Sequence, residues 1–142
     1  LDVGVTTEFN ELDLSRWVGL TAAEIEAREP EAWDTWCTDP ASLALPGIEP
    51  FDRLRQRIRR GLEGLTKRHA GAAIAVATHD GIIRIAVLEA LGMSLRHYRA
   101  IAVSNTGMTV LDFTPDRTYL RTHNDTGHLS DGLHVTPGPA DR

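Results

Sequence analysis

Ile74-Ala-Val-Ala-Thr-His-Asp-Gly-Ile-Ile-Arg84 is the stretch that decides the fold. Residues 72 to 78 form a continuous run of small and β-branched apolar residues, the pattern of a strand buried on both faces in a parallel sheet. A helical pattern from 82 to 91 follows almost at once and closes at Gly92, where a helix C-terminus takes glycine. His79 therefore stands at the carboxyl end of a buried strand, the place where open α/β sheets build their sites. The following helix points its first amides at any anion bound there.

Outward from this centre, residues 1 to 6 alternate weakly and read as a short strand that starts abruptly. Thr21 and Glu24 have the spacing of a capping box, so a helix is predicted from 22 to about 29, stopped by Pro30. Pro30 can equally open the next helix, which carries Trp33 and Trp36 on one side and ends at Asp39-Pro40. Residues 41 to 50, with two prolines and Gly47, read as a loop. Phe51, Leu54, Ile58, Leu62 and Leu65 then follow helical spacing to about His69. Residues 101 to 103 and 108 to 113 flank Ser104-Asn105-Thr106-Gly107 and read as a hairpin, and 119 to 122 could add a strand. This order predicts an α/β domain with a mixed, mostly parallel sheet flanked by helices. From 131 to 142, glycine, proline and charge predict a flexible tail.

With 142 residues, 42% hydrophobic and 25% charged, the chain is the size of one ordinary domain. Fifteen Lys plus Arg against twenty Asp plus Glu leave a formal charge of -5, which argues against nucleic-acid or anionic-membrane partners. Cys37 is alone, so no internal disulfide forms and a cytoplasmic setting is the simplest. No apolar run approaches a membrane span, and the first 20 residues lack the pattern of a signal peptide.

Val76-Ala-Thr-His-Asp-Gly-Ile-Ile-Arg84 resembles the second-histidine motif of the histidine phosphatase superfamily, in its phosphoglycerate mutase-like branch. Phe9-Asn-Glu-Leu-Asp-Leu-Ser-Arg-Trp-Val-Gly-Leu-Thr21 resembles the family stretch ending in Trp-Glu-Gly-Leu-Thr, with Val18 in place of the second Glu. Pro46-Gly-Ile-Glu-Pro50 resembles the turn before the long helix, Asn105 the Asn of the late hairpin, and His128-Leu129 a late His-Leu pair. The likeness runs through residues 1 to 129 in the right order.

The resemblance implies a phosphoglycerate mutase-like fold and a metal-independent, cofactor-free route through phosphohistidine, acting on a phosphorylated small molecule. His79 matches the second histidine, which stabilises the transferring phosphoryl group. Glu11 matches the acid that protonates the leaving alkoxide and then activates water. Asp80 stands where Gly is commoner, and a His-Asp pair resembles the acid phosphatase branch, in which the Asp is the donor. The resemblance also sets Trp33 and Trp36 near the pocket mouth as candidate substrate contacts.

The family's Arg-His-Gly nucleophile segment and its clamping arginines have no match, and Leu1 is not an initiator Met. The expectation is therefore the C-terminal part of a domain, over 1 to 130, lacking its first strands and inactive alone. A missing upstream half or a complementary chain would supply the rest. Phosphatase chemistry leads, because the segment from Glu11 to Phe51 is compact. Mutase-like transfer and a non-catalytic phosphate-binding or regulatory subunit are the alternatives. The arginines of residues 53 to 60, with Lys67 and Arg68, read as a solvated helix face. His123, His128 and His134 match no metal-ligand spacing. Gly61 to Lys67 lacks the Gly-Lys-Ser/Thr of a phosphate loop and lies within a helix.

Overall fold

In the computed structural model, which describes residues 2–129, helices α1 (Ala22–Arg28), α2 (Pro30–Thr38), α3 (Phe51–Arg68) and α4 (Asp80–Ala90) precede strands β1 (Met108–Phe113) and β2 (Thr118–Asp125). The tail expected over 131 to 142, with His134, lies outside the described residues. Short 3₁₀ segments at Ser15–Trp17, Pro40–Ser42 and Leu95–Ala100 link the elements. The architecture is α/β, with a two-stranded antiparallel sheet beside the helices.

Local chemistry accounts for the helix ends. Thr21 Oγ1 accepts from the Glu24 N–H and Glu24 Oε2 accepts from the Thr21 N–H, so the capping box is closed in both directions. Pro30 takes the first position of α2, where its missing N–H costs nothing. Gly92, at φ 64°, lets the chain leave α4 by two reversed bonds, Gly92 N–H to Glu89 O and Met93 N–H to Leu88 O.

Helix α3 is the spine. Its stripe of Phe51, Leu54 and Ile58 is at most 1% exposed and packs on Ile82, Ile85 and Leu88 of α4. Each such side chain, fully withdrawn from water, contributes roughly 1.5–3 kcal/mol relative to exposure. Arg55 and Arg59 both reach Glu89 at 2.5 Å and tie the two helices along their rim. Trp17, Ile25, Leu43 and Ile48 form a second cluster, joined to the first through Trp36, which meets Trp17 and Phe51 edge-on at 5.7 and 6.3 Å. Hence residues 12 to 50 are a packed layer over the start of α3.

The sheet departs from expectation. Residues 72–78 belong to no strand ladder, and Ile74 and Val76 stay 45% and 44% exposed. A parallel strand needs a neighbour brought by a long crossover, and none lies among the described residues. Residues 2–6 likewise form no strand, with Val3 and Val5 at 90% and 97% exposure. The single ladder among the described residues is therefore antiparallel, where a mostly parallel sheet is expected from the sequence. The hairpin itself is shifted by one strand: residues 108–113 pair with 118–125, Leu111 opposite Leu120, and not with 101–103. Thr114 closes this hairpin through its N–H and hydroxyl on Arg117 O. The expected turn at 104–107 does form, closed by Gly107 N–H on Ser104 O, but the chain before it pairs with nothing as a strand.

A groove of about 850 Å³ lies between 72–78 and β1. Ile74, Val76 and Thr78 line one side, and Thr109, Leu111, Asp112 and Phe113 the other.

Candidate active site

His79 is the last residue before α4 and has extended backbone, φ -113° and ψ 166°. The first amides of α4 have no carbonyl within their own helix to bond, and with the helix dipole they favour an anion at this end. Its ring is open to solvent, 59% exposed, and Nδ1 lies 3.8 Å from Oε2 of Glu11.

Glu11 reaches this place from 68 residues away in sequence, on a stretch with no helix or strand of its own. Thr78 Oγ1 donates to Phe9 O at 2.6 Å, so the residue before His79 anchors the loop that carries Glu11. The Phe9 ring lies against α3 at Gly61, where a Cβ would stand 2.7 Å from it. The carboxyl of Glu11 rests on the first turn of α4. A Cβ on Gly81 would be 2.8 Å from Oε1 and 3.2 Å from the Tyr98 hydroxyl. Glycine at 81 thus lets the carboxyl come this close.

Partial withdrawal from water raises the Glu11 carboxyl above its usual range, and the charge of Asp80 adds to this. The Leu12 N–H, donating to Oε1 at 2.8 Å, opposes it, as do His79 and Arg57. The result is a solvent-reachable carboxyl biased toward its protonated form beside a histidine. Tyr98, 4% exposed, is held by burial well above the ordinary phenol range, so its hydroxyl keeps its proton.

Asp80 turns away from this pair. Its Oδ2 accepts from Nε and Nη2 of Arg84 at 3.2 and 3.1 Å, one helical turn along α4. Arg84 is itself 4% exposed and donates to Tyr98 O. Asp80 therefore serves as the first-turn acid of α4 and as the partner of a buried arginine.

The structure brings His79 and Glu11 together and places Trp33 and Trp36 elsewhere. Both tryptophans pack against the second apolar cluster, and Arg99 lies 5.2 Å over the Trp36 ring and donates to Trp36 O. Neither lines the 850 Å³ groove or the 570 Å³ recess beside Glu11. Three positions at the site went unread in the sequence. Thr78 stands inside the His79 motif with no role read for it, and Tyr98 lies in no motif. Arg57 did carry a signal: it stands three residues after Leu54 and four before Gly61, at the border of the buried stripe and not on the solvated face.

Among the described residues no group of three or more His, Cys, Asp or Glu could hold a metal ion. No helix among them is long and apolar enough to cross a membrane.

The model of the histidine phosphatase superfamily (branch 1) matches residues 1–126. A bifunctional protein of Mycobacterium tuberculosis is 32% identical over 130 residues, which make up 91% of this chain and 35% of that protein. A "Probable 2-carboxy-D-arabinitol-1-phosphatase" of Arabidopsis thaliana is 30% identical over 108 residues, 76% of this chain and 22% of the plant protein. Among solved structures, Bacillus stearothermophilus YhfR shares the fold with a TM-score of 0.82 at 22% identity, over 87% of this chain and 61% of that one. The chain thus spans about a third or less of the length of these two relatives.

Proposed function

Because the chain belongs to branch 1 of the histidine phosphatase superfamily, we propose that it forms part of a phosphomonoester phosphatase and supplies the group that stabilises the transferring phosphate, His79, and the proton donor, Glu11. The observation that carries the reading is the convergence of the two, 3.8 Å apart at the start of α4, with Asp80 turned to Arg84. In the first step the phosphorus–oxygen ester bond breaks as a bond forms to the imidazole nitrogen of a nucleophilic histidine outside this chain. Glu11 gives its proton to the departing alkoxide. In the second step Glu11 takes a proton from water, the water oxygen bonds to phosphorus, and the phosphorus–nitrogen bond breaks, which releases inorganic phosphate and restores both groups. His79 and the first amides of α4 meet the equatorial oxygens, where charge accumulates in a loose transition state. No step needs a metal.

The nucleophile has to arrive on another segment, upstream or on a complementary chain. The groove between 72–78 and β1 fits it. A strand inserted beside 72–78 would pair with the backbone of that segment, which has no ladder partner, and would end next to His79. That insertion would supply the parallel neighbour that 72–78 lacks and withdraw Ile74, Val76 and Phe113 from water. The organic part of the substrate is a small molecule, with the alcohol leaving past Glu11.

The test compares the 142-residue chain, alone and completed by its nucleophile-bearing segment, on p-nitrophenyl phosphate with EDTA present. The isolated chain is expected to match buffer, and the completed enzyme to turn over without added metal. EDTA-resistant turnover by the isolated chain, with contaminants excluded, overturns the division of labour.

A further inference from the structure

Resting on the reading of Glu11 as the acid, we propose that Arg57 is the positioning residue that holds it, by gathering the backbone carbonyls of the loop before it. Residues 7–11 have no ladder or helix to fix them, yet an acid has to stand within hydrogen-bond reach of its leaving group. Arg57 comes to the loop from the middle of α3. Its Nη1 donates to Glu8 O and Asn10 O, each at 2.8 Å, and lies 3.4 Å from Thr7 O. Nη2 reaches Glu11 O at 3.5 Å. The carbonyls of Glu8, Asn10 and Glu11 thus accept from one guanidinium with Thr7 O beside it, and Phe9 O is held from the other side by Thr78.

The guanidinium is in turn clamped. Nε and Nη2 donate to the two oxygens of Glu49 at 3.1 and 2.8 Å, with side chains only 17% and 13% exposed. Glu49 itself is tied back to the loop, its N–H on Asp13 O at 2.8 Å. The circuit from α3 through Glu49 to Asp13, and from α3 through Arg57 to residues 7–11, closes around the acid. It requires five donors in a planar fork. Lysine has three donors and no fork, so it keeps the charge and loses the geometry. Arg57 makes no contact with His79 or with the Glu11 carboxyl in this arrangement, and acts through the backbone.

Loosening the loop by an ångström costs an acid about a hundredfold in rate, and only where the acid matters. The test uses the completed enzyme with Arg57→Ala, Arg57→Lys and Glu49→Gln, beside Glu11→Gln as the control. Each is assayed on an alkyl phosphate, whose leaving group needs a proton, and on p-nitrophenyl phosphate, whose leaving group does not. Circular dichroism and thermal melting confirm folding. Because hydrolysis of phosphohistidine is common to both substrates, kcat/KM is compared, which reports only the steps through departure of the leaving group. Arg57→Lys and Arg57→Ala are both expected to lose about a hundredfold in kcat/KM on the alkyl substrate, with kcat/KM on the nitrophenyl substrate little changed, and Glu49→Gln to show the same bias more weakly. If Arg57→Ala does not fold, the lysine and Glu49 variants decide. Equal loss of kcat/KM on both substrates in a folded variant, or native alkyl kcat/KM in Arg57→Lys, overturns the proposal while leaving-group bias in Glu11→Gln keeps the acid assignment standing. Absence of that bias in Glu11→Gln overturns the assignment and the proposal with it.

Discussion

Gly81→Ala tests the site through a single methyl group. The added Cβ would stand 2.8 Å from Glu11 Oε1, and ordinary contact begins at 3.4 Å, so the carboxyl has to withdraw by about 0.6 Å. The Tyr98 hydroxyl, at 3.2 Å and on a ring buried in the core, has little room to give. The carboxyl is the flexible end and takes the movement. Two consequences follow. A displacement of this size, scaled from about a hundredfold per ångström, costs about tenfold in kcat on an alkyl phosphate, equivalent to ~1.4 kcal/mol of transition-state stabilisation. Withdrawal also stretches the bond from the Leu12 N–H to Oε1, which favours the ionised form, so the carboxyl moves further up from its usual range. The pH–rate limb that reports Glu11 should shift to higher pH. Stability should fall modestly, because the Tyr98 hydroxyl cannot give way freely, offset in part by the preference of helices for alanine, up to about 1 kcal/mol in a helix interior. The assay is kcat and KM against pH on the completed enzyme, with melting curves alongside. Native alkyl turnover with an unshifted limb would mean that the Glu11 carboxyl does not rest on α4 during catalysis.

His79→Ala is expected to lower kcat by about 10²–10³, the loss typical of one donor aimed at a developing anion, and an unchanged kcat in a folded variant makes His79 structural. Glu11→Gln should lower kcat/KM for an alkyl phosphate far more than for p-nitrophenyl phosphate, whereas Asp80→Asn should lower both alike; the reverse pattern moves the acid to Asp80. Because burial raises the folded-state value for Glu11, the native protein loses stability as pH rises through that value, while below about pH 4 the group is protonated in both states and the loss vanishes. Urea midpoints should therefore favour Glu11→Gln near neutrality and converge with the native protein in acid. Leu54→Ala, at a position with no exposure and neighbours on both helices, should cost about 2–5 kcal/mol in urea unfolding, and a smaller cost would mean that the α3–α4 seam collapses around the cavity.

The helices were legible because their signals are local. The Thr21–Glu24 spacing, Pro30, the stripe from Phe51 and the Gly92 stop each act within one or two turns, and the structure places the helix ends where those residues dictate. Strands are decided by partners. The apolar run over 72–78 carries the composition of a doubly buried strand, and composition reports what a segment can bury, not what stands beside it. The late hairpin failed for a related reason. Ser104-Asn105-Thr106-Gly107 is a good turn, but Thr114-Pro115-Asp116-Arg117 is another, and β1 pairs across the second. Two turns competing for one strand are settled by cross-strand pairs such as Leu111 with Leu120, which no turn signal contains.

The site divides along the same line. His79 was readable because its position at the end of an apolar run and the start of a helix is a local fact. Glu11 was readable only through resemblance, since a loop carboxylate has no spacing of its own. What fixes it comes from Thr78, Gly81 and Arg57, on three different elements. A helix wheel places Arg57 at the edge of a buried stripe, which distinguishes it from the exposed Arg53 and Arg60, yet the wheel cannot say that the carbonyls of residues 7 to 11 wait there. If Glu11 is the acid proposed, its chemistry rests on the residues that hold its backbone. Substitution of those residues, more than of the acid's immediate neighbours in sequence, is where its reactivity should prove most sensitive.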